Sequence, residues 1–278
     1  MNPLKGIIVL LLLLFSSIEI KAQNTYVVSV GIADYQNIND LTFTEADVAT
    51  FNQIMAQHDA DITTLTGIQA THANILKTVR SVFAKATPAD AVIFFFSGHG
   101  YEGGFCCYDM QANSHLGGMS YQEMQILFRN CRAGRKMVFA DACFSGGLSK
   151  QRTQLQVQAV SNNDVMFFLS SRLDETSLEL PQGPNGLYTY FLAQGLCGAA
   201  DVNNDRIISA SEIYNFVSAK VSSWASQIPH NQHPTIWGKF DQGMSVLDWR
   251  QRKYLKKLDV VIVKNNGVRQ RRVHPSLT

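Results

Sequence analysis

Two short stretches hold the residues best able to do chemistry, Gly98-His99-Gly100 and Asp141-Ala142-Cys143. A cysteine nucleophile needs a thiolate or a neighbouring base. Histidine supplies such a base and can later protonate a leaving amine. The glycines beside His99, and Phe144-Ser145-Gly146-Gly147 after Cys143, let the backbone approach a substrate closely. Backbone N–H groups brought that near can hold an oxyanion. Taken singly, each residue has an ordinary alternative. A cysteine after a strand is usually a small buried hydrophobe, and a lone histidine usually sits in the core or on the surface. Here both follow apolar runs and both lie among small residues. Cys143 and His99 are therefore the candidate nucleophile and base.

The elements that must position them read as alternating strands and helices. Thr25–Ile32, Asp61–Leu65, Asp90–Phe96, Lys136–Ala140 and Val165–Ser170 are β-branched or aromatic runs, predicted as strands. Apolar positions at helical spacing predict helices over Thr44–Gln57, Ala73–Ala86 (capped by Thr71), Ser120–Arg129, Tyr188–Gly195 and Ser211–Val221. Continuous apolar strands between helices predict an α/β/α sandwich with a mostly parallel sheet. Such sheets bind ligands beyond the carboxyl ends of their strands. His99 and Cys143 fall there. Polar Ser149–Asn163 is predicted to be an exposed loop.

With these residues in view, the chain resembles the caspase and metacaspase family of cysteine peptidases, in its bacterial branch. Phe95-Phe96-Ser97-Gly98-His99-Gly100 and Asp141-Ala142-Cys143-Phe144-Ser145-Gly146 carry the resemblance. Supporting stretches are Gly31–Tyr35, Glu45-Ala46-Asp47, Leu169–Glu175 and Gly186–Tyr190. The resemblance implies a three-layer caspase-like fold and a Cys143–His99 dyad without an obligatory third acid. It implies an oxyanion hole made by the N–H groups of Gly100 and Cys143, and an acyl-enzyme thioester. Asp141 matches the metacaspase acid two places before the nucleophile, Asp47 matches the second acid, and Ser97 would line the same pocket. Two carboxylates at one pocket repel unless a cation lies between them, so the implied guest is Arg or Lys. The alternatives are a carboxylate holding the nucleophile loop for Asp141 and an ordinary helix-surface residue for Asp47. The chain departs from many metacaspases at Phe144, where they carry His, and at Ala142, where they carry a second Cys. Lys150 and Arg152, just past the nucleophile, are candidate self-cleavage points or simply charges on a solvated loop. Clostripain- and gingipain-like peptidases share the dyad and the basic preference. A catalytically silent caspase fold that binds peptides or partners is the rival from another class.

The rest of the chain bounds this reading. Met1–Lys5 carries one positive charge, Gly6–Phe15 is unbroken apolar sequence, and Ser16–Ala22 is more polar. That is the layout of a secretory signal peptide, too short for a comfortable membrane span. Residues 1–22 are thus expected to be removed, leaving a secreted or periplasmic domain over 23–247 with no transmembrane segment. Residues 248–278 are expected to be a basic C-terminal tail, since nine Lys/Arg from Val246 onward face only Asp248 and Asp259. The net charge of +2 gives no nucleic-acid signature. The expected partners are peptides or proteins with basic residues at the cleavage site.

Five cysteines leave at least one thiol unpaired, and their spacing fits no zinc pattern. The dyad requires no cofactor. Calcium is a candidate ion, because Asp201, Asn203, Asp205, Ser209 and Glu212 occupy positions 1, 3, 5, 9 and 12 of a calcium loop. Arg206 stands where such a loop wants Gly. The alternative is a helix cap at Ser209 or Ser211, with Glu212 in the first turn. A calcium-gated binding module centred there is the third reading. His230 and His233 have no metal pattern and are expected to be structural.

Overall fold

The strand-like runs become strands, in a computed structural model that describes residues 23–101, 103–112, 114–143, 165–172, 175–179, 183–238, 241–255, 259–263 and 269–273. At 143, 259–263 and 269–273 it gives backbone alone. The expected leader, Lys150, Arg152 and the Ser149–Asn163 loop lie outside the described residues. In chain order the strands are β1 (Thr25–Gly31), β2 (Asp61–Thr66), β3 (Ala91–Tyr101), β4 (Gly104–Cys106), β5 (Gly118–Ser120) and β6 (Arg135–Cys143). They continue as β7 (Met166–Leu169), β8 (Ile207–Ser209), β9 (Thr235–Gly238), β10 (Ser245–Asp248), β11 (Asp259–Val263) and β12 (Arg269–Val273). The helices are α1 (Thr44–Ala56), α2 (His72–Phe83), α3 (Tyr121–Arg129), α4 (Leu187–Gln194) and α5 (Ala210–Ala225).

The main sheet runs β2-β1-β3-β6-β7-β9. Its first five strands pair in parallel, and β9 closes the edge antiparallel to β7. Successive residues of a strand face opposite sides, so each central strand feeds two cores. Val28, Val92, Phe94 and Val138 pack with Ile75, Val79 and Phe83 of α2 and Phe128 of α3. Val27, Ile93, Phe95 and Phe139 pack with Phe51 of α1, Leu192 of α4 and Ile213 of α5. This is the expected three-layer α/β/α arrangement. The predicted cap at Thr71 is present, its side chain accepting the Asn74 N–H.

Three differences bear on the site. First, β3 does not stop at Phe96, nor β6 at Ala140. The ladder between them continues through His99 and Cys143, so the glycines flanking His99 are strand residues rather than a loop. Second, β3 runs on into the small β4–β5 hairpin, pairing Gly100 with Phe105. Those three-residue strands are too short to show a period in sequence. Third, the packed unit passes the expected edge at Leu247. Trp249 is fully buried and donates its indole N–H to the Leu196 carbonyl at 2.8 Å, and Tyr254 and Leu255 pack on the same core. The segment expected as tail therefore begins with core residues. No helix among the described residues is long and apolar enough to cross a membrane.

Candidate active site

At the carboxyl edge of the sheet, β3 and β6 set Ser97 opposite Asp141, Gly98 opposite Ala142, and His99 opposite Cys143. Neighbouring strands lie about 4.8 Å apart. The two candidate catalytic residues, distant in sequence, are thus direct cross-strand partners at backbone level.

His99 is held from several sides. Its backbone N–H donates to the Tyr35 hydroxyl at 2.7 Å, and the Tyr35 ring lies against the imidazole with centroids 5.1 Å apart. Its Nε2 is 2.9 Å from the carbonyl oxygen of Asn39. A carbonyl can only accept, so Nε2 carries the proton and, in the neutral ring, Nδ1 keeps the free lone pair. The loop that delivers this carbonyl is pinned by Leu41 N–H to Ala33 O (2.8 Å), Tyr35 N–H to Asp40 Oδ1 (2.9 Å) and Gln36 N–H to Tyr108 O (3.1 Å). Burial holds the imidazole below its ordinary range, against the opposing pull of the Asn39 carbonyl, Glu179 and Asp40. The ring is therefore poised unprotonated near neutral pH. Sequence reasoning left Tyr35 without a role and did not single out Asn39.

Beside the dyad, α1 contributes Asp47 and β6 contributes Asp141, both buried. Asp47 accepts from the Ser97 hydroxyl (2.7 Å), the Asn185 amide (2.9 Å) and the Gly186 N–H (3.0 Å). Asp141 accepts from the Thr189 N–H (3.0 Å) and hydroxyl (2.8 Å), in the first turn of α4, where the helix dipole also favours a carboxylate. Both acids and Ser97 line one small cleft of about 40 Å³, and among the described residues no basic side chain lines it. Desolvation, then the charge of Asp141, pushes the Asp47 carboxyl well up. Desolvation raises Asp141 to about 6, against hydrogen bonds from Thr189 and Ser177 that favour its charged form. A positive charge between the two acids would lower both carboxyls again. Gly186 and Glu179 on the cleft wall, and Asn185 and Thr189 behind the acids, were not assigned from sequence, although Gly186–Tyr190 stood out as a motif.

In the Asp201–Glu212 loop most side-chain oxygens accept hydrogen bonds from the protein, while Asp201 Oδ1 is buried with no protein partner among the described residues. Asp201 Oδ2 accepts from the Arg206 N–H (3.0 Å) and the Tyr254 hydroxyl (2.5 Å), and Asn203 Oδ1 accepts from the Asp205 N–H (2.8 Å). Asp205 Oδ1 accepts from the Ile207 N–H (2.7 Å). Ser209 and Glu212 form a capping box on α5. Arg206 takes the left-handed backbone usual for Gly (φ 66) and sends its guanidinium to the Trp249 carbonyl at 3.0 Å. Among the described residues, no group of three or more His, Cys, Asp or Glu is placed to hold a metal ion. His233 bonds Glu175 through its N–H (2.6 Å) and Nδ1 (2.5 Å), and His230 Nε2 meets Thr176, as structural histidines do.

The family model for the caspase domain matches residues 25–241. The chain belongs to the caspase domain family. Among solved structures, this caspase-domain protein is similar to a crystal structure from Geobacter sulfurreducens. That likeness has 17% identity and a TM-score of 0.58, and covers 81% of this chain and 98% of that one. At that identity it speaks for the fold alone. The comparison with curated proteins found no match.

The other thiols of this caspase-domain protein are buried and free: Cys106, Cys107, Cys131 and Cys197. Burial pushes Cys106 and Cys197 up to about 12 and Cys107 well up. Thiols so far from ionising are inert as nucleophiles at neutral pH.

Proposed function

We propose that this caspase-domain protein is a cysteine endopeptidase that cleaves after Arg or Lys, with Cys143 as nucleophile and His99 as base. The observation that carries this reading is the pairing of His99 with Cys143 beside a cleft lined by Asp47 and Asp141. In this mechanism the basic side chain of the substrate enters the cleft between the two acids. His99 Nδ1 takes the Cys143 proton, and the thiolate attacks the scissile carbonyl carbon. The N–H groups of Gly100 and Cys143 hold the oxyanion. Collapse breaks the C–N bond as the imidazolium protonates the leaving amine. His99 then deprotonates water, which hydrolyses the thioester and restores the thiol. No cofactor is needed. On this reading residues 1–22 are a leader, the enzyme works in the periplasm or outside the cell, and Lys150 and Arg152 are self-processing points.

The test is cleavage of Arg-, Lys- and Asp-ended fluorogenic peptides, in calcium and in EDTA. Arg and Lys peptides should be cut, with activity falling about 10³-fold or more in Cys143→Ala and His99→Ala. Activity should persist in EDTA; a calcium requirement would return attention to Asp201–Glu212. Cleavage after Asp alone would sink the pocket assignment. No cleavage, with Cys143 unreactive to iodoacetamide, would leave a peptide-binding protein of caspase fold.

A further inference from the structure

A third acid stands at the same cleft. Glu179 is exposed, lines the cleft with Asp47 and Asp141, and accepts the Thr42 N–H from the opposite wall at 3.2 Å. Its backbone bridges antiparallel to Gly186, the residue that also donates to Asp47. The segment carrying it is clamped from outside. Buried Gln232 accepts the Leu178 N–H at 3.0 Å and donates to the Ser170 carbonyl at 3.0 Å, and His233 holds Glu175. Glu179 is thus placed at the mouth by tertiary contacts on both sides, and among the described residues no hydrogen bond ties its carboxylate to a basic side chain.

We propose that Glu179 is a specificity-determining residue, a rim carboxylate that draws the substrate's basic side chain into the cleft and bonds it on arrival. This rests on the basic-pocket reading above. A guanidinium has five N–H donors in a planar fork, more than one buried carboxylate can use. The two buried acids already accept hydrogen bonds from protein donors, whereas Glu179 keeps exposed oxygen surface for the guest. Its charge reaches the working groups, opposing the effect of burial on His99 and adding to it on Asp141. Asp40 on the 33–41 loop also faces His99, and Asp47 on α1 faces Asp141.

The experiment compares wild type, Glu179→Gln and Glu179→Asp on an Arg-ended peptide. A citrulline-ended peptide aldehyde serves as the neutral isostere. In Glu179→Gln the KM for the Arg peptide should rise about fivefold, the value of one partly screened charge pair. Its kcat and the Ki of the citrulline aldehyde should hold. Glu179→Asp should recover part of the loss. The acid limb of kcat/KM should move to lower pH, because removing the charge lowers both His99 and Asp141. An unchanged KM overturns the proposal, as does equal weakening of the Arg and citrulline ligands, which would mean a role in loop shape. If wild type does not cut after Arg or Lys, the basic-pocket reading fails. If it does and Glu179→Gln matches it, this inference alone fails.

Discussion

The imidazole of His99 gets its proton arrangement from a backbone atom, the Asn39 carbonyl 2.9 Å from Nε2. A carbonyl is present at every residue, so its role leaves no trace in residue type. The acids are different: the family resemblance singles out Asp47 and Asp141 by residue type and position. What sequence could not supply is their state. Asp141 sits at about 6 and Asp47 well above its ordinary range, chiefly through burial. A raised carboxyl holds its proton higher in pH than usual, and a cationic guest must compete with that proton. As pH falls through 6, Asp141 takes up the proton and the cleft loses charge. The KM for an Arg-ended peptide should therefore rise about tenfold between pH 7 and pH 5. Asp141→Asn should raise KM and flatten this dependence. A flat wild-type profile of KM over that window would contradict it.

At the scale of elements, β3 and β6 position the dyad, while α1 and the start of α4 position the acids. Gly186, just before α4, lies between them. A Cβ at Gly186 would collide with Asp141 Oδ2 and come within 3.4 Å of Asp47 Oδ2. Gly186→Ala should raise KM for Arg-ended peptides by about tenfold or more, since one displaced charge contact costs more than 1 kcal/mol. The β3–β6 ladder is untouched by this change, so the rate of Cys143 alkylation by iodoacetamide should stay within about twofold. Parallel loss of both would mean that the substitution disturbs the whole sheet edge. The strands and helices were largely legible because their apolar periods are strong. Their ends were not: the strands read as stopping at Phe96 and Ala140, yet each keeps the other's ladder going through His99 and Cys143.

At the scale of the molecule, Val246, Leu247 and Trp249 belong to the core, with Tyr254 and Leu255 packed against it. The Trp249 ring meets His58 edge-on at 4.4 Å and Tyr254 at 5.3 Å. Arg206 holds its carbonyl, and Leu196 takes its indole N–H. Trp249→Ala should lower unfolding free energy by about 3–5 kcal/mol, the cost of emptying a large buried aromatic site. Urea denaturation would measure this, and a shift below about 1 kcal/mol would place Trp249 outside the cooperative core. In sequence Trp249 stands among Asp248, Arg250, Arg252 and Lys253, a composition that reads as solvated tail. One aromatic among charges has no period, and only its distant partners reveal its place.

Residue types and their order determined the alternating α/β pattern and the choice of His99 and Cys143, and the family resemblance of the motifs singled out Asp47 and Asp141. These are written in hydrophobic period and in side-chain chemistry, which are local properties. The tertiary structure decided the His99–Cys143 register, the Asn39 carbonyl on the imidazole, the Tyr35 contact and the arrival of Glu179 at the cleft. Each of these joins segments far apart in sequence, and several use backbone atoms common to all residues. The chain must fold before such contacts exist.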